Sequence, residues 1–370
     1  MKNTKLAVGR VRDVGDERAF FISANGYDGF RTRQDTLYRS EAFTRVFVIL
    51  GGPGTGKSSL LRAISDGAAR DGADVEYIYC SSDPASLDGV ILLKGARRVA
   101  MLDGTAPHER GASVPGAIDE LVHLDGCWDT AALIKKRGEI LRKREEAAEA
   151  YARARGYLCA AGGVARVLEK ELDGILDEKK MAAAVTREMR TLYTTDRPFE
   201  EVRYLCACGA GGIVHLNTFR KSSDVVLVSN EHGGAHRYLN ELLARLQKAG
   251  VYGYWRLPSC FDDKITQGLY LPQNKRLYLI DDGKDCARKI NIKRFVLKEK
   301  EVAARKEIRR LLRLRTEMTE AAVLAFGRAA KAHFALEGIY GEAMDFGKKE
   351  ALSSLLLRKV IGYLNSPIED

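Results

Sequence analysis

The chain has 370 residues, 45% of them hydrophobic and 30% charged, with a formal net charge of +10 and only eight prolines. That length exceeds what one core usually fills, so two domains or two similar halves are expected, and the composition excludes extended disorder. No apolar run approaches bilayer-spanning length, and seven cysteines scattered along the chain suit reduced thiols in a cytoplasmic protein rather than a disulfide framework.

Met1-Lys2-Asn3-Thr4-Lys5 is polar and charged with no apolar segment after it, so no secretory signal is expected. Asn25-Gly26-Tyr27-Asp28-Gly29 lies between strand-like runs and reads as a hairpin. Arg45-Val46-Phe47-Val48-Ile49-Leu50 reads as a short buried strand, and an amphipathic helix opens at Ser58. Between them stands Gly51-Gly52-Pro53-Gly54-Thr55-Gly56-Lys57-Ser58, in the strand, loop and helix setting a P-loop requires. Glycines let backbone N–H groups face phosphates, and the helix N-terminus favours anions. Lys57 is expected at the β- and γ-phosphates of ATP, Ser58 at Mg²⁺, and Ser59 beside them.

Val75-Glu76-Tyr77-Ile78-Tyr79 is a strand followed by Cys80-Ser81-Ser82-Asp83-Pro84, which makes Ser82 and Asp83 candidates for substrate or switch roles. Asp83-Pro84 ahead of Ser86-Leu87-Asp88 also reads as a helix start. Arg98-Val99-Ala100-Met101-Leu102-Asp103 is a strand ending in a carboxylate, the Walker B-type candidate for the far side of Mg²⁺. In Gly104-Thr105-Ala106-Pro107-His108-Glu109, Thr105 is placed to sense a γ-phosphate, and His108 or Glu109 to position water or a proton. Lys57, Asp103, Thr105 and His108 are the catalytic candidates. No Glu follows Asp103 and no LSGGQ-like run occurs, which disfavours AAA-type and ABC-type ATPases. Asn274-Lys275-Arg276-Leu277 lacks the Asp that reads guanine, so ATP is expected over GTP.

Sliding the chain on itself brings Val225-Val226-Leu227-Val228-Ser229-Asn230-Glu231-His232-Gly233-Gly234-Ala235-His236 opposite the first strand and its loop. Ala235 falls against Lys57 and His236 against Ser58, so this copy lacks the phosphate lysine and the metal hydroxyl. The alignment continues through Asp262 against Asp83 and Gly268 against Gly89 to Asp281-Asp282-Gly283 against Leu102-Asp103-Gly104, with Lys284 against Thr105 and Ala287 against His108. Cys208-Gly209-Ala210-Gly211-Gly212 repeats the hairpin, and Cys206 and Cys208 are expected to pack rather than bind metal. Helices are expected over 131–193 and 291–364 as packed bundles. The basic run from Arg288 to Arg315 is interrupted by Glu299, Glu301 and Glu307, with Ile308, Leu311 and Leu312 at helical spacing, so it reads as a solvated helix face.

The motifs Gly51 to Ser58, Cys80-Ser81-Ser82-Asp83 with Ser86-Leu87-Asp88-Gly89, and Asp103 to His108 resemble a family of uncharacterised bacterial tandem-P-loop proteins described as ATPases or ATP-binding proteins. The resemblance covers nearly the whole chain. It implies two P-loop halves with helical tails and marks Lys57, Ser58, Asp83, Asp103, Thr105 and His108 as recurring positions; the second loop departs from the pattern. The expected fold is α/β, a tandem duplication of a P-loop NTPase-like three-layer domain with a degenerate second loop. Its boundaries are 1–130 for the nucleotide domain, 131–197 for a helical extension, 198–290 for the degenerate domain and 291–370 for a helical tail. The expected function is a slow Mg²⁺-dependent ATPase switch, with a nucleotide or small-molecule kinase and a nucleic-acid-associated ATPase as alternatives. ATP and Mg²⁺ are the expected ligands, an unidentified protein partner is compatible, nucleic acid is not favoured, and no membrane insertion is expected.

Overall fold

A computed structural model describes residues 18–106, 110–284 and 286–367. In the first half, β1 (Ala19–Phe21) leads into a hairpin, β2 (Ser23–Gly26) and β3 (Gly29–Thr32), then a short α1 (Gln34–Leu37) and β4 (Arg45–Leu50). Helix α2 (Lys57–Arg70) ends where Gly72 takes the left-handed conformation, φ 85°, and is followed by β5 (Asp74–Tyr79), β6 (Leu87–Lys94), β7 (Arg97–Asp103) and β8 (Asp119–His123). The six-stranded sheet has the order β1-β5-β6-β7-β4-β8. β4 lies parallel between β7 and β8, whereas β6 runs antiparallel to both of its neighbours. The β-branched and aromatic run of β4 suits a central strand covered on both faces.

The helix start expected at Ser86 is a strand instead. Val90-Ile91-Leu92-Leu93 belongs to β6, which pairs along its length with β7 through the two-residue Gly95-Ala96 turn, Gly95 at φ 58°. Burial between two strands outweighs the local Asp-Pro signal.

After α3 (Thr130–Lys135), α4 (Arg137–Ile175) and α5 (Glu178–Met189), the second half repeats the plan. Strand β9 (Phe199–Val202) and the hairpin β10 (Cys206–Gly209) and β11 (Gly212–His215) precede β12 (Asp224–Val228) and α6 (Ala235–Ala249). Next come β13 (Gly253–Pro258), β14 (Thr266–Leu271), β15 (Arg276–Ile280) and β16 (Arg288–Ile290), then α7 (Lys298–Glu342) and α8 (Phe346–Asn365). The second sheet, β16-β12-β15-β14-β13-β9, has the same pattern of parallel and antiparallel neighbours as the first. The protein is therefore α/β with two six-stranded mixed sheets, each followed by helices.

One part of the internal alignment shifts. Gly104 donates its N–H to Ile49 O, the last β4 residue paired with β7, and Asp281 donates to Val228 O, the last β12 residue paired with β15, both at 2.9 Å, so the strand itself sits one residue from the sequence alignment, which sets Val228 against Leu50. Asp281 thus stands in the ladder position of Gly104, two residues from the sequence alignment. The cause is the hairpin: β14 and β15 join through 272–275, whereas β6 and β7 pair for two more rungs before turning.

The halves exchange elements. Helices α4 and α7 run antiparallel, with Trp128 beside Met344 at one end and Leu176 beside Val296 at the other. Small buried residues on the two helices, Ala154, Ala161, Ala322, Ala325 and Ala329, permit close approach. α8 covers α2 of the first half, where Gly67 leaves space for Leu357, and α5 packs on α6 of the second. The hairpins cross as well: Tyr27 N donates to Phe261 O (2.9 Å), and Gly209 lies against the carbonyls of Ser81 and Ser82. One core consequently runs from Phe20, Phe47 and Leu61 to Tyr204, Cys206, Leu257 and Phe326. No helix among the described residues is long and apolar enough to cross a membrane.

Candidate functional site

The Gly51–Gly56 loop leaves β4 at the edge where β7 also ends, and α2 opens at Lys57. Gly54 and Gly56 hold φ 69° and 75°, conformations that L side chains rarely adopt. Thr55, fully buried, donates its hydroxyl to Gly52 O at 2.9 Å and closes the loop. The Lys57 amine lies back along the loop, 2.7 Å from Gly51 O and 3.0 Å from Gly52 O, and 3.5 Å from Asp103 Oδ2. Adjacent strand ends thus bring Lys57 and Asp103 together.

Asp103 Oδ1 accepts from Thr105 N (2.9 Å) and from the Thr105 hydroxyl (2.5 Å), and its carbonyl accepts from Gln34 Nε2 (3.0 Å). Burial pushes the Asp103 carboxyl above the usual range, while the Lys57 charge and Thr105 pull it part of the way back. Asp88, also a buried carboxylate, adds to the upward shift. The β6–β7 register carries Asp88 to the strand end opposite Asp103. Sequence reading missed Asp88 and Gln34; recognising Gly95-Ala96 as a two-residue turn would have aligned Asp88 with Asp103.

Ser58 Oγ accepts from Leu87 N (3.0 Å), tying the start of α2 to β6. Ser59 Oγ donates to Gly56 O and accepts from Lys349 Nζ, both at 2.8 Å. Asp83 holds the β5–β6 connection, accepting from Ala85 N (3.2 Å) and the Ser86 hydroxyl (2.7 Å), and Ser82 meets Tyr151 of α4. These two residues lie at the end of β5 and touch neither Lys57 nor Asp103 through a hydrogen bond. His108 and Glu109 lie outside the described residues.

The second half's helices reach this loop. A Cβ on Gly54 would stand 2.2 Å from Glu337 O of α7, and one on Gly52 would stand 3.3 Å from the Trp128 ring and 3.5 Å from Tyr340. Gly54→Ala is accordingly expected to cost about 1–3 kcal/mol, because left-handed backbone strain adds to a clash that only movement of α7 relieves. Thermal or urea unfolding measures this, and a stability equal to wild type would contradict it.

The corresponding loop of the second half closes on itself. Gly233 N and Gly234 N donate to Asn230 O and Glu231 O, and Ala235 N donates to Asn230 Oδ1 (3.3 Å). Those N–H groups are occupied by the chain's own turn. His236, in the place of Ser58, contacts Gly233 O (3.0 Å) and Glu169 (3.1 Å). His232, at φ 55°, contacts Glu301 at 3.0 Å. Cys206 and Cys208 are buried in β10, and the Cys206 sulfur accepts from Cys260 N at 3.1 Å.

No family model matches the chain, and neither curated proteins nor solved structures give a match.

Proposed function

We propose that the Gly51–Ser58 loop is a P-loop that binds Mg²⁺-ATP, and that the chain is a slow ATPase switch whose degenerate second half reads the state of the first. The observation that carries this reading is the Lys57 amine held between the Gly51 and Gly52 carbonyls and the Asp103 carboxylate. A bound triphosphate gives that amine stronger acceptors than two neutral carbonyls, so it can turn to the β- and γ-phosphates without a change of fold.

The donors fit Mg²⁺, which prefers hard oxygens: Ser58 supplies a hydroxyl and Asp103 a buried carboxylate, with Asp88 adding negative charge nearby. Mg²⁺, when bound, supplies charge neutralisation to the phosphates. Thr105 is a positioning residue, since both of its donors hold Asp103 Oδ1. The switch reading draws on α7 and α8, which bring Glu337 and Lys349 to the loop from the other half. Movement of the loop on nucleotide binding is felt directly by those helices.

Calorimetry with ATP tests this, with Mg²⁺ present or chelated and with Asp103→Asn. Chelation and the substitution are each expected to weaken binding about 10- to 100-fold, the loss of one interaction to a charged group. Binding that is absent, or indifferent to both, overturns the proposal. Asp103→Asn carries a second expectation. Because the folded carboxyl is shifted upward, the native state holds its proton more tightly than the unfolded chain, so ionising Asp103 costs stability as pH rises. The variant should therefore melt at or above wild type at neutral pH, with the gap closing as pH falls to about 4, the ordinary range of an aspartate. A variant that is less stable at neutral pH would contradict it.

A further inference from the structure

A cavity separate from the Gly51–Ser58 loop lies between the halves. It is a cleft of about 1360 Å³ at the carboxyl ends of the second sheet's strands. Ligands of open α/β sheets bind at that edge, and the volume exceeds the several hundred Å³ typical of small-molecule pockets.

The helices that flank this cleft are related by a pseudo-twofold. Asp129 N donates to Ala343 O and Asp345 N to Cys127 O, and the same pair of bonds recurs as Leu297 N to Ile175 O and Asp177 N to Phe295 O. This pseudo-twofold makes Thr319 of α7 the counterpart of Tyr151 of α4. In the first half Tyr151 packs edge-on to Phe326, ring centroids 6.1 Å apart, and meets Ser82. In the second half the shorter Thr319 lines the open cleft instead.

The lining has a definite chemistry. Arg166 and Lys170 of α4, Arg315 of α7 and Lys264 face the same space, and none of the four side chains has an acidic partner among the described residues. Tyr27 and Phe261 form one wall, stacked at 5.3 Å and 17°, and Gly162 is what lets Tyr27 approach α4. Asp262 and Glu320 add acceptors. Unpaired cations suit phosphate, an aromatic wall suits a flat ring, and carboxylates suit hydroxyl groups. We infer that this cleft binds an organic phosphate of nucleotide size through its side chains, since the N–H groups of Gly233, Gly234 and Ala235 are already used. The inference goes beyond the Mg²⁺-ATP reading and does not depend on it.

The test is calorimetric titration of AMP into the Lys57→Ala protein at low salt. AMP lacks the phosphates that Lys57 is proposed to reach, so this titration reports on the cleft, while ATP titrated into wild type judges the loop. Binding is expected, with about a tenfold loss on adding Arg166→Ala or Arg315→Ala, as for one charge-assisted hydrogen bond. Adding Thr319→Tyr, which copies Tyr151, should abolish it; melting curves confirm that the variant is folded, and the two arginine variants decide the matter if it is not. Absence of AMP binding, or binding that none of the three substitutions alters, overturns the inference.

Discussion

Lys57→Ala is expected to weaken Mg²⁺-ATP binding by about 100-fold or more, because it removes the cation that the proposed P-loop sets against the phosphates and with it interactions that are strong when charge-assisted. The fold should survive. The Lys57 side chain is 14% exposed and its hydrogen bonds go to two carbonyls of its own loop. Lys57→Arg should recover little, since a planar guanidinium does not reproduce a compact ammonium inside a tight loop. A further consequence concerns Asp103. Lys57 is the larger of the two groups that pull the buried carboxyl down, the other being Thr105, so its removal lets that carboxyl rise further, and any residual Mg²⁺-dependent binding in Lys57→Ala should improve with pH. Calorimetry across a pH series reads both effects. Wild-type affinity in Lys57→Ala would end the P-loop reading.

Arg203→Ala should destabilise the protein by about 3–5 kcal/mol, the range found when one partner of a buried ion pair is removed. Arg203 Nε donates to Glu76 Oε1 at 2.8 Å, with the side chains only 3% and 6% exposed, and Nη1 donates to Glu201 at 2.9 Å. The guanidinium also lies 5.1 Å from the Trp255 ring centroid. Glu76 is on β5 of the first sheet and Arg203 follows β9 of the second, so the substitution leaves a buried carboxylate at the junction of the halves. Replacing both partners, as Glu76→Leu with Arg203→Met, should restore much of the loss by removing the stranded charge. Denaturant unfolding of the two single variants and the double variant gives the coupling. Additive losses would show that the pair does not act as a unit.

The parts of this protein legible in its sequence are those set by short-range rules. Arg45–Leu50 and Arg97–Asp103 announce themselves as strands by the apolar runs Val46 to Leu50 and Val99 to Leu102, and the glycines at 54 and 56 fall where the backbone turns left-handed. The repeat was legible because corresponding strands and turns recur in order, although a hairpin two rungs shorter displaced its register at Asp281. Asp103 and Thr105 are neighbours in sequence, so their hydrogen bond follows from a local turn.

What the sequence could not determine depends on contacts across long separations. Ser86-Leu87-Asp88 after Asp83-Pro84 reads locally as a helix start, and only a strand on either side makes Leu87–Lys94 β6. That α8 covers α2 and brings Lys349 to Ser59, 290 residues away in the chain, has no local signature. The same holds for Asp88, which becomes a site residue only through the strand that lies beside it. Thr319, which lines the cleft, stands in the place that Tyr151 holds in the first half, and the equivalence of the two positions is visible only after α4 and α7 have paired. Periodicity and turn chemistry report the conformation of a segment, whereas the partner that buries each face is chosen among all segments at once, by the area and shape each can cover.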